Sequence, residues 1–213
     1  MSLNLSSSIT QVKNTTPSSI SPGVLALCHD IVRNGVPEYV SVQVENGAIV
    51  NECFGNVAKK VAADGGSIQH GWTIWQTGAW MVEGEFHAVW KAPDGTLIEV
   101  SPKPDGESSI LFLPDPKLVF SGMARGSVRR ALVRSLPVDD YVNLANKFEA
   151  LGLAARAGTV RISREALMQL MECKDTALAM MAADGGADHP CACNSGKRYK
   201  NCHSKAAKSI RVL

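Results

Sequence analysis

Apolar positions recur with two different periods along the chain, and the change of period divides it. Ser21-Pro22 reads as an N-cap followed by proline at the first helical position. Apolar spacing then predicts a helix from Val24 to Arg33, stopped by Asn34-Gly35. Tyr39–Val44 alternates as a strand does, and Glu45-Asn46-Gly47 marks a turn. A second helix is predicted from near Asn51 through Cys53, Val57 and Val61 to Gly65-Gly66. Gly71–Gln76, Glu85–Ala92, Thr96–Ser101 and Ile110–Leu113 have strand character, with a hairpin turn at Asp94-Gly95 and a further strand over residues 116–121. Beyond Leu136 the spacing turns helical, over Val138–Leu151 and Arg164–Ala183, with Ser163 as an N-cap. Residues 184–188 link this part to a Cys-rich end.

The order predicts an α+β protein: an antiparallel sheet with N-terminal helices, followed by helices and a small C-terminal zinc knuckle. Residues 1–20, rich in Ser, Thr and Asn, are expected to be disordered. The α+β domain is expected over 21–125, a helical segment and linker over 126–187, and the zinc-binding module with a basic tail over 188–213.

Composition changes this picture little. A 213-residue chain with 45% hydrophobic residues and a net charge of +2 is ordinary for a globular protein. The distribution of charge is less even. No acid follows Asp188, whereas Lys197, Arg198, Lys200, Lys205, Lys208 and Arg211 do. Pro116–Val138 likewise carries Lys117, Arg125, Arg129, Arg130 and Arg134 without an acid. Both stretches suit either an acidic partner or plain solvation. No apolar run reaches the ~18 residues of a membrane span, and residues 1–20 lack the apolar core of a signal peptide. Cys28, Cys53 and Cys173 are scattered, which together with a zinc knuckle predicts a reducing, cytoplasmic setting.

Cys191, Cys193, Cys202 and His203 fall within 13 residues, as Cys-x-Cys, eight residues, then Cys-His. Three thiolates and an imidazole suit zinc, in a structural site with no open position. Pro190, Cys191, Cys193, Ser195, Gly196, Lys197, Tyr199, Lys200, Cys202 and His203 closely resemble the SEC-C motif. This zinc-binding module ends the SecA translocase and is appended to many unrelated bacterial proteins. Asn194 stands where that family commonly has Gly. In SecA the module is associated with the SecB chaperone and the ribosome, so the resemblance, which spans 189–204, implies a protein or ribonucleoprotein partner.

A second constellation joins Cys53, at the start of a predicted helix, to His87 and Glu99 on the two strands of the hairpin. Helix-start amides favour a thiolate, a cysteine nucleophile needs a base, and the base needs an acceptor to hold its ring. Register decides whether the last two meet. A two-residue turn at Asp94-Gly95 pairs Trp90 with Glu99 and puts His87 on the opposite face. A three-residue Pro93-Asp94-Gly95 loop pairs Ala92 with Thr96, Val89 with Glu99 and His87 with Ser101, making His87 and Glu99 diagonal neighbours on one face. The loop's residue types favour the second geometry.

Residues 36–105 resemble the papain and transglutaminase-like superfamily of cysteine enzymes, with a similarity also to N-terminal glutamine amidohydrolases. The resemblance implies acyl transfer or hydrolysis on a peptide or other amide, with Cys53 as nucleophile, His87 as base then acid, and Glu99 as orienter. The family's third residue is usually Asp or Asn, from which Glu99 departs by one methylene. Asn51 and Gln76 are candidate oxyanion donors. Trp72, Trp75, Trp80 and Trp90 suit either a substrate-groove wall or a sheet core, and Glu83 and Glu85 either an alternative acid or a solvated turn.

The chain therefore reads as a zinc-binding SEC-C protein with a cysteine amidohydrolase or acyltransferase domain. The alternative is a non-catalytic adaptor that recruits its partner through the knuckle and basic tail. Because the upstream core is large enough to stand alone, chelation is expected to unfold only about the last 20 residues.

Overall fold

A computed structural model of the chain describes residues 12–210. In chain order the elements are β1 (Asn14–Thr15), α1 (Pro22–Ile31), β2 (Glu38–Val42), α2 (Cys53–Asp64), β3 (Ser67–Thr77), β4 (Met81–Lys91), β5 (Leu97–Glu99), β6 (Ser109–Pro114), β7 (Val128–Ala131), α3 (Leu136–Arg156), α4 (Arg164–Ala182) and α5 (His203–Ser209). A short 3-10 turn, Tyr199–Asn201, precedes α5. The chain divides into two compact units. One holds residues 15–76 and 82–128; the other holds 77–81 and 129–210 with residues 12–14.

The first unit is built on a small barrel. Its strands run in the order β3-β6-β2-β5-β4, and a further β3–β4 pairing closes the ring. β2–β6, β3–β6 and β4–β5 are antiparallel. The expectation of a wholly antiparallel sheet fails at one pair, since β2 and β5 run parallel, Ser41 opposite Ile98 and Val42 opposite Glu99. The cause is the connection between them: α2 and the β3–β4 hairpin intervene, long enough for a crossover. Val40, Val89, Ile110 and Phe112 form one apolar cluster of the barrel. α2 lays Phe54, Val57 and Val61 on Ala88, Trp90, Ile98 and Val100 of another, a stripe with helical spacing. α1 begins as predicted, with the Ser21 hydroxyl accepting from the Val24 N–H at 3.3 Å.

The β4–β5 hairpin adopts the three-residue loop. The Ala92 N–H donates to the Thr96 carbonyl at 2.9 Å, Gly95 sits at φ 92° and Trp90 faces Ile98. The Asp94 carboxylate accepts from the Thr96 N–H at 2.9 Å and braces the turn.

Two expectations are corrected here. Residues 116–121 form no strand, because the Asp115 carboxylate takes the Lys117 N–H and the chain turns between two prolines; the strand lies later, at Val128–Ala131. Disorder over 1–20 extends too far. Residues up to 11 lie outside the described residues, but Asn14–Thr15 is a strand and the Thr16 N–H donates to Glu107 at 3.1 Å.

In the second unit α3 and α4 pack together, and α4 starts as predicted, with Ser163 accepting from the Ala166 N–H at 3.1 Å. The stretch expected to be a basic tail contains α5 instead. Its Ala207, with Ile210, packs among Leu144, Leu151, Leu170 and Cys173. Charge masked this helix, because Lys205 and Lys208 stay exposed while two apolar positions turn inward.

Glycines in the barrel unit give opposite expectations. A Cβ on Gly71 would collide with the Leu113 carbonyl oxygen and lie 2.6 Å from Phe112 Cζ, whereas one on Gly55 of α2 meets nothing within 4 Å. Gly71→Ala is expected to lose about 2 kcal/mol or more, and Gly55→Ala to gain about 0.5–1 kcal/mol. Urea midpoints of the two variants check both signs.

Candidate active site and candidate metal centre

The structure brings Cys53, His87 and Glu99 together. Cys53 opens α2, and the loop before it puts Asn51 at φ 64°. Glu52, the N-cap, makes no side-chain capping bond to the first-turn amides. Buried Asn56 fastens this loop: its amide takes both backbone groups of Ile49, at 3.0 and 2.7 Å, and donates to Ser101 Oγ at 3.1 Å. The His87 ring hydrogen-bonds Glu99 through Nε2 on Oε2, and the Cys53 side chain stands near enough to raise the ring's proton affinity. Since Nε2 is held by the acid, Nδ1 is the nitrogen left for the thiol.

Glu99 is fully buried and hydrogen-bonded on both oxygens. Oε1 accepts from the Ser101 N–H at 2.6 Å, and Oε2 meets His87 and the Lys103 ammonium, the latter at 2.8 Å. Burial alone would discharge the carboxyl, but the hydrogen bond and charge of His87, with Lys103, draw it down to about 2. Burial also opposes charge on His87, yet hydrogen bonds to Cys53 and Glu99 and the Glu99 charge outweigh it and raise the ring to about 9, against the pull of Lys103.

The remaining expected residues are dispersed. Gln76 ends β3 near the hairpin tip, on the order of 15 Å along the sheet from the level of His87. The tryptophans line no common wall: Trp72 is buried beside Phe86, Trp75 donates to Glu85, Trp90 donates to the Gly65 carbonyl, and Trp80 lies in the β3–β4 turn. Glu85, engaged by Trp75 at 2.8 Å, is thus no alternative acid for His87. What does flank Cys53 and His87 in the chain is aromatic. Phe54 stacks on Phe120 at 3.9 Å and lies 4.9 Å from Phe86, over which Arg125 sits.

Cys191, Cys193, Cys202 and His203 place their ligand atoms within 4.8 Å of one another. Tetrahedral zinc with Zn–S near ~2.3 Å and Zn–N near ~2.0 Å implies edges of about 3.8 Å between sulfurs and about 3.5 Å from sulfur to nitrogen. The observed edges are 3.5 Å for Cys193–Cys202, 3.3 Å for Cys191–His203 Nδ1 and 3.5 Å for Cys202–His203 Nδ1. The set can hold a metal ion, and its donors suit zinc. Asn194 and Gly196 both take positive φ, 58° and 73°, in the turn between the ligand pairs. Ser195 Oγ lies 3.2 Å from Cys193 and 3.3 Å from Cys202 sulfur, and Glu172 of α4 reaches His203 Nε2 at 3.4 Å.

This cluster is not an appendage. Cys191 and Tyr199 share a buried cluster with Ala177 and Met180 of α4, flanked by Leu136 and Tyr141 of α3. Fully buried Tyr199 donates to buried Asp140 Oδ2 at 3.0 Å. The metal run and the helices therefore have one interior, so loss of an ion is expected to reach α3 and α4 and not the last 20 or so residues alone.

Sequence reasoning missed Lys103, Asn56, Asp140 and Glu172. Each is a polar residue made important by a partner distant in the chain or carried on a loop, and none stands in a spaced motif. No protein-family model, curated protein or solved structure matches this chain. Among the described residues no helix is long and apolar enough to cross a membrane.

The buried pair imposes a pH window. Unfolded, His87 and Glu99 titrate near 6.5 and 4.5. The raised imidazole adds stability that is whole below 6.5 and vanishes as pH climbs through about 9; the lowered carboxyl adds stability that is whole above 4.5 and vanishes as pH falls through about 2. The urea midpoint of the barrel unit is expected to flatten against pH in Glu99→Gln on both sides of that window, and equal curvature in both proteins would contradict the coupling. For the metal centre, chelation is expected to strip hydrogen-exchange protection from α3 and α4 as well as from the Cys run. Protection lost only beyond residue 188 would show the cluster to be separate. Tyr199→Phe, which leaves Asp140 unpaired, is expected to cost about 1–3 kcal/mol in the metal-loaded protein, read from its urea midpoint.

Proposed function

We propose that the barrel unit is a cysteine hydrolase or acyltransferase of the papain and transglutaminase-like kind. The observation that carries the reading is the single His87 ring hydrogen-bonded to a buried, ionised acid and influenced by the Cys53 side chain beside it. A helix-borne cysteine against a strand-borne histidine, steadied from the next strand, is also the element order the resemblance implies.

In this reading His87 takes the Cys53 proton and the sulfur attacks an amide or ester carbonyl. The carbonyl oxygen, as it gains charge, faces the first-turn amides of α2, which the Glu52 side chain leaves uncapped. His87 returns its proton to the departing amine or alcohol, and the carbon–heteroatom bond breaks to leave a thioester. Water or an amine then attacks the thioester with His87 again accepting the proton, and the carbon–sulfur bond breaks to release acid or new amide. The freed Cys53 sulfur is left beside the protonated His87 as at the start of the cycle. Glu99 keeps its charge throughout and holds the ring's orientation. The Phe54, Phe86 and Phe120 rings favour a substrate with an apolar or aromatic part.

We assign zinc to Cys191, Cys193, Cys202 and His203, where it would cross-link the chain with no position open to substrate. A recruiting role for that unit is supported by exposed Lys197, Lys205 and Lys208; Arg198 and Lys200 already pair with Asp188 at 2.9 and 2.7 Å.

Alkylation by iodoacetamide, mapped by mass spectrometry, tests the chemistry. Burial pushes the Cys28 and Cys173 thiols up to about 11 and covers both, so their silence means nothing. Dependence on His87 is decisive: Cys53 is expected to label about tenfold or more slowly near pH 6.5 in His87→Gln than in the native protein. Equal rates would remove the base from the proposal.

A further inference from the structure

Lys103 lies in the loop after β5, four residues beyond Glu99, with its side chain only 7% exposed. Lysine is seldom this deeply buried without a partner, and here the partner is specific. Its ammonium stands 2.8 Å from Glu99 Oε2 and 3.4 Å from His87 Nε2. The loop that carries it is turned back, with the Gly106 N–H donating to the Lys103 carbonyl at 3.0 Å. Three charged or titratable side chains thus bear on the His87 ring: Cys53 from α2, Glu99 from β5, and Lys103 from this loop.

We propose that Lys103 is a positioning residue, which clamps the Glu99 carboxylate toward His87 and keeps the imidazole from holding its proton too tightly. The inference rests on the acyl-transfer reading of the same site. Glutamate has one more rotatable bond than the Asp or Asn the resemblance implies, so its carboxylate needs more anchors. Ser101 N–H fixes one oxygen and Lys103 the other. The second effect is electrostatic. Each cycle makes an imidazolium beside a carboxylate, and such a pair alone would retain the proton that the leaving group needs. A cation facing the same nitrogen opposes that retention, and among the described residues Lys103 is the positive charge that bears on the ring.

The measurement is the His87 titration midpoint by imidazole NMR, assigned with His87→Gln, in native protein and in Lys103→Met, Lys103→Gln and Lys103→Arg. Turnover is not needed. The two neutral variants are expected to raise the midpoint by roughly one unit, and Lys103→Arg to return it most of the way. In Lys103→Met, Glu99→Gln should change the Cys53 alkylation rate less than it does in native protein, because Lys103 acts through Glu99. A midpoint that stays or falls in a folded neutral variant overturns the inference. So does the collapse of both neutral variants alongside an intact Lys103→Arg, which would assign Lys103 to the fold. Failure of the underlying reading looks different: the native protein itself would show Cys53 alkylation indifferent to His87.

Discussion

A carboxylate with no solvent access must find a partner for every lone pair it exposes, and Glu99 is such a group. Its partners come from three places: His87 on β4, the Ser101 amide just past β5, and the Lys103 ammonium beyond it. Leaving any of them out would strand charge in the interior, so the end of β5, the loop after it and the neighbouring strand are constrained together. Ser101 extends the constraint through Asn56 to Ile49, and so to the loop that delivers Cys53. The polar network thus does for this end of the barrel what apolar packing does for the rest.

The unit that carries the Cys-His cluster follows the same logic with different chemistry. Asp140 is also a buried acid, and the Tyr199 hydroxyl satisfies it. The bond ties α3 to the middle of the Cys run, while Glu172 ties α4 to the ligand His203. Helices of modest apolar content gain an interior because the ligand loop fills it. The cluster works as a keystone of that unit, with Cys191 and Tyr199 as core residues in their own right.

Much of this was legible in the chain, and unevenly so. Local signals carried well: the Ser21 and Ser163 caps and the Pro93-Asp94-Gly95 loop depend on neighbours within a few residues. The Cys-x-Cys and Cys-His pairs are local too, and the Asn194 turn between them brings their ligand atoms together. The His87–Glu99 meeting followed from turn chemistry plus the period of two. What escaped was non-local or disguised. The β2–β5 parallel pair joins residues more than fifty apart, which no short-range pattern encodes. α5 was hidden by its own lysines, since two inward apolar positions are too few to register as a stripe. Lys103 follows a proline in a loop, where nothing distinguishes a clamp from a solvated lysine until Glu99 is seen beside it.

The loop between β4 and β5 has one more implication. Pro93, Asp94 and Gly95 are exposed, whereas Cys53 and His87 are buried. Yet their number is what sets Glu99 across from Val89 and diagonal to His87. One residue more or fewer there would rotate Glu99 to the far face while leaving Cys53, His87 and Glu99 all in the chain. Related sequences should therefore conserve the length of this turn and a residue able to take positive φ at its end, since a deletion on the solvent side would undo the meeting of His87 and Glu99 without removing either.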